Sequence, residues 1–510
     1  MKIAAQQWPF VTHGTHIWRG HVEAAQLPFL AQSVKDEGGQ LLALWGVDNR
    51  HVDAGFALHS VFLVAAGLCW VVTPLAAEYP HYPDLSALFP AVDRQQRATH
   101  DLMGLVADGA VDTRKWLRHA AWPVGSFPLR RDFSAQPTTG NDDYPFIQVG
   151  GEGVHEIAVG PVHAGTIEPG HFRFSVIGER VLRLAERFGF AHKGVEKRFE
   201  GLTLVDGAKL AGRISGDSHT AYVMAYCMAV ESATGTAVPD RARWLRALWL
   251  EMERVANHLG DLGSLGNDAG LTFGFVQFWR LKEEWLRLSA ELFGHRYLFD
   301  CIVPGGVVRD LTHAGMLVDA ALQLAQEVAR LREVYGEHAG VQDRFTNTGV
   351  VSARLAAHLG LTGLAGRASA QAWDARVQFP VPPYDVLEVK MATHQSGDVF
   401  ARAEVRFDEL AESLRLIRKI VHDMPRGGVL HTPPHTGTTQ REGLGWVESW
   451  RGGVIMAVRI GVDGRLDRVH PHDPSWQNWP VLESGILGNI VADFPLINKS
   501  FNLAYSGVDI

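Results

Sequence analysis

The chain has 510 residues, 46% hydrophobic and 20% charged, and a formal net charge of −8. Charges of both signs without a long basic run argue against nucleic-acid binding and against a polybasic membrane anchor. Cys69, Cys227 and Cys301 are far apart and form no C-x-x-C pair, so this chain cannot by itself hold a zinc site or an iron–sulfur cluster, and a reducing compartment suits it better than a disulfide framework.

Two or three domains are expected at this length. The start, Met1-Lys-Ile-Ala-Ala-Gln-Gln, has no apolar stretch of the secretory type. Residues 1–135 read as an α/β domain. Leu41-Leu-Ala-Leu-Trp-Gly46 has the short apolar run of a buried strand. Ala54 to Ala77 is uncharged and about long enough to span a bilayer. His59, Ser60, Gly67 and Pro74 interrupt it, which predicts two buried strands in a hairpin instead. Asp93 to Gly104 reads as a polar helix closed by glycine. The polar, breaker-rich stretch around 136–150 reads as a linker.

Residues 151–510 read as a larger α+β domain with a central helical bundle and peripheral strands. Strands are expected at His155–Gly160 and His171–Ile177. From Asp240 to Leu262 the residues Leu245, Leu248, Met252, Val255 and Leu259 recur at spacings of three and four. Phe278, Leu281, Trp285, Leu288 and Leu292 repeat the pattern, as do Leu317, Ala321, Leu324, Val328 and Leu331. Residues 399–423 make a fourth stripe. Consecutive amphipathic helices bury their stripes against one another. Val462-Asp-Gly464 between apolar runs predicts a late hairpin.

Four clusters carry candidate chemistry. Gly160 to His171 is a Gly/Pro-rich turn with His163, Glu168 and His171, groups suited to proton transfer, or an ordinary surface turn. Ser215-Gly-Asp217-Ser218-His219 precedes an apolar run, so Asp217 or Ser218 is either a helix N-cap or part of a site for a polar ligand head. Gly260 to Gly270 reads as a glycine stop after a helix, with Asp261 and Asp268 either paired or shifted in pKa. Arg451, before Gly452-Gly453, either holds a polar ligand or makes a structural ion pair.

In order along the chain, these features resemble one family. Tyr82-Pro-Asp-Leu-Ser-Ala-Leu-Phe-Pro90, Arg97 to Gly104 and Pro128-Leu-Arg-Arg-Asp-Phe133 resemble the small soluble subunit beside the quinone module of respiratory complex I. Gly160-Pro-Val-His163, Gly194-Val-Glu-Lys197, Glu251 to Leu259, Gly294 to Asp300, Pro304-Gly-Gly-Val307, Gly397 to Arg402 and Gly445 to Gly452 resemble the large subunit shared by complex I and energy-converting [NiFe]-hydrogenases. Nearly the full length is covered, and the two subunits are fused.

The resemblance implies a membrane-associated, complex I-like oxidoreductase subunit, at the cytoplasmic face of the inner membrane. It implies a [4Fe–4S] cluster on a partner subunit, membrane-embedded partners that supply the only membrane contact, and quinone or a similar acceptor as ligand. No cofactor is expected on this chain alone. The departures sharpen this. Arg213-Ile-Ser-Gly-Asp-Ser218 has the frame of the family's R-x-C-G-x-C nickel motif, with Ser215 and Ser218 in the thiolate positions. The tail Asn502 to Asp509 has the frame of D-P-C-x-x-C, with Ala504 and Gly507 there. Two hydroxyls, a methyl and a hydrogen cannot replace four soft sulfur ligands, so no metal site is expected. Glu168 falls at the family's proton-relay Glu, and Arg451 at an Arg facing the active-site cavity. Asp268 falls at a quinone-site Asp, while the family's quinone His and Tyr fall near Pro169 and Gly216. The resemblance therefore gives Glu168, Asp268, His163 and His171 as proton-handling residues, and Ser215, Asp217, Ser218, His219 and Arg451 as ligand-binding ones. The lost Cys, His and Tyr leave a second reading: a catalytically silent scaffold that couples redox partners to an ion-translocating membrane module.

Overall fold

The computed structural model describes residues 11–12, 16–119, 122–123, 125–134, 143–163, 167–432 and 439–510. Much of the expected linker, the first residues and part of the Gly160–His171 turn lie outside that range.

The N-terminal region is a five-stranded sheet of β1 (Val11–Thr12), β2 (Ile17–His21), β3 (Gln40–Asp48), β4 (Phe56–Val64) and β5 (Gly67–Leu75), in the order β1-β2-β5-β4-β3. Helices α1 (Leu27–Asp36) and α2 (Asp93–Met103) accompany it. The uncharged 54–77 stretch is the β4–β5 hairpin, antiparallel from Phe56↔Leu75 to Val64↔Gly67. Among the described residues no helix is long and apolar enough to cross a membrane. Strand β3 is buried along almost its whole length, and the sheet's partners explain why. One core joins Ile17, Trp45, Val61 and Trp70 of this sheet to Leu444, Trp446, Ile455 and Ala457 near the C-terminus. The two expected domains thus share a core.

The large region begins with a three-stranded sheet of β6 (Val154–Val159), β7 (His171–Ile177) and β8 (Arg180–Arg187). Five helices then build the bundle: α3 (His219–Thr234), α4 (Asp240–Asp268), α5 (Thr272–Phe293), α6 (Ala314–Glu337) and α7 (Val399–Asp423). A second antiparallel sheet follows, of β9 (Arg441–Glu448), β10 (Gly453–Ile460) and β11 (Leu466–His472), then α8 (Ser475–Gly485) and α9 (Phe494–Phe501). Shorter helical pieces and two-stranded ribbons connect these elements.

Glycines set two close approaches that position the site. Helix α3 lies directly on β9: a Cβ at Gly443 would sit 2.0 Å from the Ala229 carbonyl oxygen, and one at Gly445 1.9 Å from that of Ala225. The second is a correction. Helix α4 does not stop at its glycines but runs through Gly260, Gly263 and Gly266 to Asp268. A Cβ on these would meet Lys282 Nζ at 2.6 Å, Trp279 Cδ1 at 2.7 Å and Tyr335 Oη at 2.1 Å. Spaced by three, they form a groove on one helix face into which neighbouring side chains press. Packing there outweighs the roughly 1 kcal/mol that glycine costs in a helix interior.

Candidate functional site

The site is built where α3 begins. Its N-cap residue, Ser218, makes no side-chain capping bond. The cap comes from α4 instead: Glu253 Oε2 accepts from Thr220 N at 2.6 Å and Oε1 from Ala221 N at 3.3 Å. Burial pushes Glu253 up to about 8, against the pull of those N–H bonds. Asn257, one turn on, donates from Nδ2 to the Asp217 carbonyl at 2.7 Å, and Trp450 Nε1 donates to the same oxygen at 3.0 Å. The 215–218 turn is therefore pinned by the bundle helix and by the segment after β9.

Asp217 and Arg451 form the centre. The guanidinium donates from Nη1 to Oδ1 at 2.8 Å and from Nη2 to Oδ2 at 2.6 Å, a bidentate pair. Arg451 Nη1 also donates to Ser218 Oγ at 3.0 Å, and Nε to the Asn502 carbonyl at 2.5 Å. Ser215 Oγ donates to Asp217 Oδ1 at 2.7 Å. Burial opposes the charge on Asp217, but Arg451 and Ser215 hold its carboxyl at about 2. Arg451 is only 4% exposed, whereas 40% of the Asp217 side chain is open. Four of the sequence-predicted residues, Ser215, Asp217, Ser218 and Arg451, thus meet in one hydrogen-bonded group, reaching the tail through Asn502.

The tail is held from a second side. Asp473 Oδ2 accepts from Tyr222 Oη at 2.7 Å, one helical turn beyond Ser218. Its carboxyl lies against Gly507. Ser475 Oγ accepts from Ala504 N at 2.9 Å. Glu168 Oε2 accepts from Tyr505 N and Ser506 N, each at 3.1 Å. Glu168 is therefore brought to the tail between Ala504 and Gly507.

The remaining predicted residues sit apart from this group. Asp268 pairs with Lys499 at 2.8 Å through Oδ1, and its buried Oδ2 has no partner among the described residues. Asp261, two turns earlier on α4, reaches the site where Asp268 does not: Asn502 Nδ2 donates to it at 2.6 Å and Arg406 Nε at 2.9 Å. His163 and His171 bond back across their own turn, to the Gly170 and Gly160 carbonyls. Burial lowers His171. His219 is buried, its Nδ1 against the Gly212 carbonyl at 2.9 Å and its ring stacked on Phe299 at 4.1 Å. Burial lowers it to about 4, so it is neutral near pH 7, and its ring is held by Gly212 and Phe299.

Sequence reasoning missed Glu253, Asn257, Tyr222, Lys282 and Asp473. A signal existed for some. Glu253, Asn257 and Asp261 recur every four residues along α4, a polar stripe on one helix face. Lys282, on α5, lies over Gly260, and burial lowers its pKa against the pull of Asp261 and Asp217. Nothing local marks Tyr222 and Asp473, which are 251 residues apart.

Comparison with known proteins agrees with this architecture. Residues 268–445 match the family described as respiratory-chain NADH dehydrogenase, 49 Kd subunit, and residues 20–139 that described as respiratory-chain NADH dehydrogenase, 30 Kd subunit. Formate hydrogenlyase subunit 5 of Escherichia coli (strain K12) is 32% identical over 485 residues, covering 93% of this chain and 85% of that protein. The chain belongs to this complex I and hydrogenase large-subunit family. The fused C/D polypeptide of the NADH-quinone oxidoreductase of Bacteroides thetaiotaomicron is 28% identical, covering 69% of this chain and 70% of that one. A chain of the membrane-bound sulfane sulfur reductase (MBS), an archaeal respiratory membrane complex, superimposes with a TM-score of 0.66 at 27% identity, over 70% of this chain and 99% of that chain. This family member is an oxidoreductase subunit that has the 30 Kd-like and 49 Kd-like regions in one chain.

The residues do not fit the nickel that the hydrogenase side of the family implies. Ser215, Ser218 and Ala504 are all buried against protein, at 5%, 1% and 1% exposure. Their side chains are hydroxyls and a methyl, and the fourth position, Gly507, has none. Soft, anionic thiolates are what such a centre requires. Among the described residues no group of three or more His, Cys, Asp or Glu is arranged to hold a metal ion.

Proposed function

We propose that this chain is the core subunit of a membrane-associated complex I-like complex, in which a quinone or similar polar acceptor is reduced beside Asp217 and Arg451. Electrons would come from a [4Fe–4S] cluster in a partner subunit. Membrane-embedded partners would hold the chain at the cytoplasmic face of the membrane. Its likeness to an NADH-quinone oxidoreductase polypeptide supports an acceptor of this class; the sulfane sulfur reductase adds sulfur compounds as acceptors to try.

The observation that carries the reading is the chemistry put in place of a metal. A carboxylate 40% open to its surroundings is fixed by a buried guanidinium and flanked by two hydroxyls. Such a group offers hydrogen bonds and protons to an organic head, with Glu168 at the tail as a second proton-handling group.

One observation favours the scaffold reading. Four of the five N–H donors of Arg451 are already engaged within the chain, which leaves a single Nη2 N–H for a ligand. The purified complex separates the two readings. With a reduced electron donor and added quinone or polysulfide, Asp217→Asn is expected to lower turnover by at least about tenfold, the range of positioned acid–base groups. Glu168→Gln is expected to lower it less, with the complex fully assembled in both. No turnover with any acceptor, and ion coupling unchanged in both variants, would establish the scaffold.

A further inference from the structure

We propose that Asp473 is a second barrier to a metal at this site, beside the missing thiolates: its carboxyl, fixed by Tyr222, fills the volume that a side chain at position 507 would need. The inference rests on the reading of the site as metal-free and goes beyond it by naming a residue that would keep the fourth ligand out even with sulfur restored.

Gly507 is buried, and its φ is not in the left-handed region, so the backbone there would accept a side chain. The obstacle is Asp473. A Cβ on Gly507 would sit 2.7 Å from Asp473 Cγ, 2.7 Å from Oδ2 and 2.9 Å from Cβ, all closer than non-bonded carbon allows. Asp473 is not free to swing aside. It is 1% exposed. Its Oδ2 accepts from Tyr222 Oη at 2.7 Å, and its Oδ1 from Ser475 N at 2.8 Å. Making room would break two hydrogen bonds on a buried carboxylate and leave a buried phenol without its acceptor.

The same turn governs the other tail position. Ser475 Oγ accepts from Ala504 N, and Trp479 Nε1 donates to the Ala504 carbonyl at 3.1 Å. Residues 473–475 therefore clasp both tail positions to the protein and, through Tyr222, to α3. Arg451 makes a second tie, joining Ser218 to Asn502. In a metal centre, four thiolates would close this junction. Here a carboxylate, a phenol and a guanidinium close it, and restoring sulfur alone does not reopen it.

The test uses the full chain and Co²⁺ as the probe, read by thiolate-to-metal charge-transfer absorption and by competition for affinity. The parent carries Ser215→Cys, Ser218→Cys, Ala504→Cys and Gly507→Cys. Adding Asp473→Ala is expected to tighten Co²⁺ binding by at least about tenfold and to give a four-thiolate spectrum, because the fourth ligand can then reach the ion. Adding Asp473→Asn keeps the volume and removes the charge, so it is expected to bind like the parent. Equal affinity with Asp473 in place or removed overturns the proposal. A gain with Asn equal to that with Ala also overturns it, since charge and not volume would then be the barrier. A second measurement does not depend on four substitutions folding. Gly507→Ala is expected to lower the urea midpoint, and the pair Gly507→Ala/Asp473→Ala to cost less than the sum of its members; strict additivity counts against the proposal. Both assays read metal affinity or stability, so their failure is distinct from a failure of acceptor reduction.

Discussion

Removing Arg451 should expose how the site balances its charges. In Arg451→Met the carboxylate of Asp217 loses both guanidinium bonds, and Ser218 Oγ and the Asn502 carbonyl each lose a donor. The Asp217 carboxylate then keeps, among the described residues, Ser215 Oγ at 2.7 Å and Ser218 Oγ at 3.4 Å. Breaking a buried ion pair by deleting one partner costs about 3–5 kcal/mol, because the other charge is left uncompensated. The 40% exposure of Asp217 lets solvent screen part of that, and a cost of about 2 kcal/mol is expected. Asp217→Asn added to Arg451→Met removes the stranded charge and should recover more than half of the loss. The pH dependence has a definite sign. Arg451 holds Asp217 at about 2, below its ordinary 3.8. The pair's contribution is therefore complete above pH 3.8 and is lost as pH falls through about 2. In Arg451→Met the carboxyl returns to or above its ordinary value, and that acid loss should vanish. Urea unfolding of the wild type, both single variants and the double variant, repeated at pH 7 and pH 3, checks this. A cost below about 0.5 kcal/mol, or a double variant no more stable than Arg451→Met, would refute the reasoning.

Three further outcomes are expected. Gly266→Ala should destabilise by about 1–3 kcal/mol in thermal or urea unfolding, since its Cβ would lie 2.1 Å from Tyr335 Oη; Tyr335→Phe in the same chain should restore part of the loss by deleting that oxygen. His219 is held at about 4 by burial, below its ordinary 6.5, so its neutral form supports the fold fully above pH 6.5 and this support falls away between pH 6.5 and about 4. Its imidazole NMR shifts should not titrate above pH 5, and His219→Phe should flatten the stability loss between pH 7 and pH 5. Asp268→Asn should lower stability by no more than about 1 kcal/mol, the worth of a partly exposed pair with Lys499, while any loss of acceptor reduction measured in parallel would show that Asp268 acts beyond that ion pair.

The hairpin at 54–77, the four amphipathic stripes and the Asp-Gly turn before β11 were legible because each depends on local periodicity or turn chemistry. The helix through Gly260, Gly263 and Gly266 was not. Read locally, three glycines end a helix; only the side chains of α5 and α6, pressing into the groove they leave, make continuation favourable. The site divides in the same way. Ser215, Asp217, Ser218 and Arg451 were picked out by residue type and family frame, and they meet in one hydrogen-bonded group. His219 was picked out with them but turns its ring onto Phe299, because the helix start that brings Ser218 toward Arg451 points the next residue the other way.

By itself the sequence determined the family, the fusion of two subunits, the order of the elements and the absence of four thiolates. These are set by residue identity and by patterns within a few tens of residues. The tertiary structure alone decided what takes the place of the thiolates. Tyr222 reaches Asp473 across 251 positions, Asp473 abuts Gly507, and Arg451 ties the turn before α3 to the tail at Asn502. Such contacts depend on how helices seat on strands through glycines and on which buried charges find partners, and no local pattern carries that information.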